Sequence, residues 1–336
     1  MNHRKFVVTS TVSMLVIAGI VASLAFYSNV VVKAQIPNLP DALSYLPANS
    51  QVVFGMNVQS FVSSPIYLKF QQQHGQEIGT DLQEFITATG VNPVTDLYYI
   101  VAAGRANDVK KGSGVAIAIA NPKHNFNVGQ IIDFIRTKAK TNPIEVSYKN
   151  ATVYMIPESD GNKLEKGIAF LNDTEAALGD LDSLKAVLDA RADPKNLGIE
   201  ANTTLAALIK SLDPNQMFWF AGDPTSILSK APTNTPFGGS VSSIQNVVGT
   251  LNLGEGVVGK ITATAKDAAS AQKLADVVKG FVALGQLAAG DQNPDLTQLL
   301  QGVTVTLDQN KVSLGLNFEY SLLEKIQQNK LQFKKI

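Results

Sequence analysis

One pattern occurs twice in this chain, in the same order, and nothing else constrains its folding as strongly. Leu46, Pro47, Ala48, Asn49, Ser50 and Gln51 lead into Val52, Val53 and Phe54, and Leu212, Asp213, Pro214, Asn215 and Gln216 lead into Met217, Phe218 and Trp219. Further on, Ile144, Val146 and Tyr148 alternate with Glu145, Ser147 and Lys149, turn near Asn150 and resume at Thr152 and Val153. Val303, Val305 and Leu307 alternate in the same way with Thr304, Thr306 and Asp308, turn near Gln309 and Asn310, and resume at Lys311 and Val312. Motifs that recur in order imply a duplicated unit. Duplication fixes a scaffold and leaves the chemistry open.

Between these landmarks the periodicities alternate between strand and helix. A strand over Gln51–Asn57 precedes helical stretches at Phe61–Gln72 and Asp81–Ala88, the latter burying Phe85 and Ile86. The apolar runs Leu97–Ala103 and Val115–Ala120 flank the loop Gly104–Gly114 and read as a hairpin. Val128, Ile131, Ile132 and Ile135 recur at helical spacing, giving one apolar stripe that has to lie on a sheet. Ile168–Leu171 adds a strand, and Leu181, Leu184, Val187 and Leu188 a helix, before a boundary near Asp193–Gly198. The second copy offers a strand at Gln216–Ala221, a short helix after Pro224, and strands at Ile244–Leu253 and Val257–Ala265. A helix follows from Asp267 to Ala288, with Leu274, Val277, Val278, Phe281, Leu284 and Ala288 on one face, then a short helix near Leu296–Leu300. The pattern predicts an α+β fold: two repeated units of antiparallel sheet with helices packed on one face. One continuous sheet and two packed halves satisfy it equally.

The first residues have a different logic. Arg4 and Lys5 precede an uncharged stretch, residues 6–32, densest in apolar residues between Met14 and Tyr27. Val32, Lys33 and Ala34 suit a signal-peptidase site, so residues 1–34 read as a signal peptide cleaved before Gln35, or as a retained N-terminal membrane anchor. Either reading leaves Arg4 and Lys5 cytoplasmic and sends the remainder out. Residues 35–45 form a linker, 46–192 the first repeat, 203–322 the second and 323–336 a basic tail. Lys325, Lys330, Lys334 and Lys335 outnumber Glu324 there, a frayed tail with some capacity for an anionic surface.

Charge is balanced, with 28 basic and 28 acidic residues. Losing the leader leaves 25 basic residues against 28 acidic ones. That balance lacks the positive excess on which nonspecific nucleic-acid binding depends. The chain has no cysteine, which excludes disulfides, thiolate metal sites, cysteine nucleophiles and lipobox acylation. An exported protein without disulfides relies on its core, which favours a bacterial envelope over a eukaryotic secretory route. The Asn-x-Thr triplets at Asn150, Asn172 and Asn202 then carry no glycan.

No motif reaches a chemistry. Gly254, Gly256 and Gly259 match a dinucleotide fingerprint in spacing, but Lys260–Ala265 alternate as a strand where that motif needs a helix. Ser270 and Lys273 have Ser-x-x-Lys spacing without its companion motifs, on the polar side of a helix. His3, His74 and His124 form no ligand set. Asp180 and Asp182 stand where a helix begins, and Asp291 and Asp295 in a polar loop without calcium-loop spacing. Phe218, Trp219 and Phe220 read as core, with Trp219 the residue able to line a cleft. Ala231–Ser240 is a Pro- and Gly-rich connection.

At Leu46–Phe54, Phe170–Asp180 and Gln272–Gly280 the chain resembles an uncharacterised family of exported bacterial proteins with a duplicated α+β unit. The resemblance rests on a Leu-Pro-Ala turn before a strand, and on an apolar strand followed by Asp-Thr, Ala and Gly-Asp. It implies an extracytoplasmic location and no activity. The sequence therefore supports a noncatalytic binding or structural module of the envelope, with no catalytic, cofactor-binding or metal-binding residue assigned and no cofactor. Its expected partners are a protein, a polymer or an apolar ligand, with membrane contact through the N-terminal segment only if it is retained. Two alternatives remain: an envelope hydrolase with an unidentified site, and a carrier for lipid or another apolar ligand.

Overall fold

The computed structural model describes residues 40–105, 114–157, 164–213, 215–225, 238–289, 294–322 and 325, with the side chains of 70, 73–80, 164, 165, 238 and 239 outside that description. The leader, the helix expected after Pro224 and most of the basic tail therefore lie outside the described residues. The chain divides into two compact units. The first runs to Asn215 apart from Ser64–Ile66, and the second comprises Ser64–Ile66 and the residues from Gln216 on.

The first unit carries β1 (Val52–Asn57), β2 (Leu97–Gly104), β3 (Val115–Ala120), β4 (Ile144–Tyr148), β5 (Ala151–Pro157), β6 (Leu164–Asn172) and β7 (Glu175–Gly179). Their order is β1-β2-β3-β7-β6-β5-β4, each neighbour antiparallel. The second carries β8 (Phe218–Gly222), β9 (Ile244–Leu253), β10 (Gly256–Ala265), β11 (Val303–Asp308) and β12 (Lys311–Glu319), in the antiparallel order β8-β9-β10-β12-β11. The fold is α+β.

Side-chain alternation shows what each sheet face meets. In the first unit Ile100, Ala118, Ala176 and Phe170 pair across β2, β3, β7 and β6. They pack with Ile131, Ile132 and Ile135 of the helix Val128–Ala139, whose first turn is capped by the Asn127 side chain. The helix Pro65–Thr89 joins this layer through Phe85, whose ring meets Phe134 edge-on at 5.2 Å. There Leu82 and Thr89 are buried, while Phe85 and Ile86 are only half-buried.

The opposite row, Val101, Ile117, Ala177, Ala169 and Val153, is fully buried, whereas Ile100 and Phe170 of the first row are half-buried. A second helix, Leu181–Ala192, covers that face with Leu184, Val187 and Leu188. Its side is fixed by Tyr148, which shares the Val153 face and donates a 3.0 Å hydrogen bond to Asp189. The first sheet thus has helices on both faces, where the sequence pattern suggests one. The unexpected strand β7 has the same cause: Ala176, Ala177 and Leu178 are apolar without alternation because both of their faces are buried.

The segment read as a boundary is structural. Asp193–Gly198 holds a short helix, Pro194–Leu197, and Gly198 bridges back to Pro47. A side chain at 198 has no room, because its Cβ would collide with the carbonyls of Ser44 and Pro194. Asn202 caps the helix Thr203–Lys210 and donates to the carbonyls of Ala48 at 3.0 Å and Ser50 at 3.2 Å. Residues 203–215 consequently belong to the first unit, and the second begins at Gln216. The expected linker is also shorter, since Asp41–Tyr45 is a 3-10 turn with Ala42 and Leu43 buried.

In the second unit one face holds Val247, Ala263, Val305 and Val312, packed under Ala271, Leu274, Ala275 and Val278 of the helix Ala268–Ala289. The other face carries Val248, Thr262, Ser313 and Thr306 in one cross-strand row.

Candidate functional site

Most residues singled out by motif have structural roles. Gly254 and Glu255 turn β9 into β10, with the Gly254 amide donating to the Gly256 carbonyl, and β10 continues where a nucleotide fold needs a helix. Ser270 donates its amide to Asp267 at 2.7 Å, which caps the helix Ala268–Ala289, and Lys273 is exposed on that helix. Trp219 is buried, while Phe220 lays its ring over Gly249 on the opposite face. Asn172 and Asn202 spend their amides on Glu175 and on the Ala48 turn. His3, Asp291, Glu324, Lys330, Lys334, Lys335 and residues 231–237 lie outside the described residues, as does the side chain of His74.

The carboxylates are similarly engaged. Asp180 accepts from the Ser183 amide, the Ser183 hydroxyl and the Gly114 amide, tying the start of a helix to the start of β3. Burial alone would raise its pKa, but these hydrogen bonds and the Lys166 charge hold it below the usual aspartate value. Asp182 lies in the first helical turn beside it, and Asp295 in the first turn of the helix Pro294–Gln301. Asp96, buried, accepts from the Asn92 amide and the Thr95 hydroxyl and lies 3.3 Å from His124 Nδ1. Asp189 is held low first by Lys149, against a smaller opposing effect of burial, and further by Tyr148, whose ring has Lys185 Nζ 5.5 Å from its centroid. Glu175 is pushed up by burial, which outweighs the Asn172 hydrogen bond and the Arg191 charge. Among the described residues no three His, Asp or Glu side chains could together hold a metal ion.

A different surface stands out. From Gly280 to Ala289 the helix Ala268–Ala289 carries no charged residue. Phe281, Leu284 and Leu287, three residues apart and so adjacent along one flank, are 41%, 61% and 79% exposed. The sequence stripe placed Phe281, Leu284 and Ala288 against the sheet. The core beneath the sheet takes in the first half, through Ala271, Leu274, Ala275 and Val278, while Phe281 and Leu284 are exposed. The second half is held by the neighbouring helix instead: Gln286 Nε2 donates to the Leu300 carbonyl at 3.3 Å, and Gly285 lies against the Leu300 side chain. The signal was present in the sequence as ten uncharged residues with apolar groups all round, a pattern belonging to a buried or lipid-contacting helix. No described helix is long and apolar enough to cross a membrane.

No family model matches the chain, and no curated protein matches it. Among solved structures it is similar to crystal forms of TP0453. Form I aligns with a TM-score of 0.43 and 8% identity over 87% of this chain and 98% of that one. Form III gives 0.45 and 7% over 82% and 92%, and form IV 0.41 and 6% over 81% and 90%.

Proposed function

We propose that this protein is a noncatalytic extracytoplasmic binding module that docks onto the acyl-chain layer of a bilayer through the end of its helix Ala268–Ala289. The observation that carries the reading is the charge-free flank with Phe281, Leu284 and Leu287 exposed. Each leucine gains roughly 1.5–3 kcal/mol on transfer from water to hydrocarbon, so the pair alone gives a usable surface affinity. The leader supports the destination, since both of its readings deliver the chain across a membrane. The resemblance to exported bacterial proteins agrees with that route. This reading widens the expected membrane contact beyond the N-terminal segment, and it selects the apolar-ligand alternative over a hydrolase.

The test exploits the absence of cysteine. An environment-sensitive fluorophore on the variant Leu287→Cys, in the chain as exported, brightens on adding phosphatidylcholine–phosphatidylglycerol vesicles and is quenched by spin-labelled acyl chains. The same fluorophore on Thr262→Cys, on the polar sheet face, stays unquenched. A Leu287 label indifferent to vesicles would sink the proposal, whether or not the leader anchors the chain. Intact mass of the exported chain reports separately whether it starts at Gln35.

A further inference from the structure

Among the described residues strand β11 ends the second unit's sheet, and its one charge, Asp308, stands at the turn end of the strand. Val303, Thr304, Val305, Thr306 and Leu307 include no charge and no proline, and they pair with β12 without a register shift. Strand β4, at the end of the first unit's sheet, is guarded by comparison. Pro143 precedes it, Glu145 lies within it, and Tyr148 and Lys149 at its end are tied to Asp189.

The hairpin fixes which backbone groups of β11 face outward. Gln309 and Asn310 form a two-residue turn between the paired residues Asp308 and Lys311. The pair flanking such a turn exchanges both backbone bonds, and bonded pairs then alternate along the ladder. Thr304, Thr306 and Asp308 therefore bond to β12, and the N–H and C=O groups of Val303, Val305 and Leu307 point to the edge that no other described strand occupies. Another strand has to match these three residues with outward-facing groups of its own.

We propose that the partner is a second copy of β11, paired antiparallel about a two-fold axis through Val305. In the register that uses every outward group, Val305 opposes Val305 of the other copy, Val303 opposes Leu307, and Thr304 opposes Thr306. That pairing makes about six backbone hydrogen bonds. It sets apolar residues against apolar and threonines against threonines, the combinations that stabilise cross-strand pairs. It also places the single charge, Asp308, opposite Gly302, so like charges never meet. Leu307, 36% exposed, is covered by Val303 of the other copy. The contact is isologous and closes at two chains.

Sedimentation equilibrium of the exported chain across the micromolar range tests this, with Thr306→Lys as the edge variant on an exposed position. The chain dimerises, Thr306→Lys raises the dimer dissociation constant at least about tenfold by setting charges beside the axis, and circular dichroism shows the variant still folded. A mixture of Thr304→Cys and Thr306→Cys chains, oxidised together, cross-links more than either chain alone, because only the mixture puts thiols directly opposite. A monomer throughout the range overturns the proposal. So does a dimer that survives Thr306→Lys or fails to cross-link in the mixture, or one that dissociates only in the Leu284→Ser/Leu287→Ser variant, which places the contact on the helix.

Discussion

The two sheets of this protein share a strand logic and differ in what covers them. In the first unit the row Val101, Ile117, Ala177, Ala169 and Val153 is fully buried beneath one helix, while the alternate row, with Ala118 and Ala176 buried and Ile100 and Phe170 half-buried, packs beneath others. In the second unit the row running through Thr262, Ser313 and Thr306 grades from half-buried to exposed, and among the described residues the helix Ala268–Ala289 lies over the alternate row. After the helix that follows their third strand, the first unit continues with four strands and the second with two. The additional hairpin β6–β7 and the helix Leu181–Ala192 accompany the second buried face. A sheet covered by described helices on both faces is a stable scaffold, whereas among the described residues the second sheet has a helix over one face.

The sharpest way to break this comparison is to cut matched rows. Ile117→Ala removes a fully buried side chain and costs about 2–5 kcal/mol. Thr306→Ala, on the exposed row, stays within about 0.5 kcal/mol. Denaturant unfolding, followed with hydrogen exchange to assign each loss to its unit, checks both. Equal costs would mean that the second sheet is covered on both faces.

Asn202→Ala comes next, since it removes a helix cap and leaves the Ala48 and Ser50 carbonyls without that donor. The expected loss is about 1–3 kcal/mol, confined to the first unit. Protection lost in the second unit's strands would reassign residues 203–215.

The third prediction concerns acid. Asp180 has its pKa held below the usual value despite burial, so the folded state favours its ionised form. Its contribution is present above the ordinary aspartate value, about 3.9, and is lost as pH falls through the folded value. Asp180→Ala is therefore less stable than the native chain by about 1–2 kcal/mol at neutral pH, and the gap closes on acidification. A gap that widens in acid would show the wrong sign for the carboxylate.

The smallest effect on stability belongs to the apolar flank. Leu284→Ser/Leu287→Ser leaves the unfolding midpoint nearly unchanged, because both side chains already face water in the native state. Vesicle binding, by contrast, is lost. A large stability loss would place these leucines in a packing role.

What the sequence determined by itself is local. Alternation marked both terminal hairpins, Ile131, Ile132 and Ile135 marked a helix stripe, and Asp267 announced the cap of the helix Ala268–Ala289, because periodicity and capping act over a few residues. What only the tertiary structure decided depends on contacts far apart in the chain. Strand β7 was hidden because two-sided burial erases alternation. The supposed boundary at Asp193–Gly198 proved to be packed against Pro47, some 150 residues earlier, through Gly198 and the reach of Asn202. Phe281 and Leu284, expected against the sheet, are exposed for the same reason. An apolar stripe records that a face avoids water, and only the positions of the sheet and the neighbouring helix decide whether protein covers it.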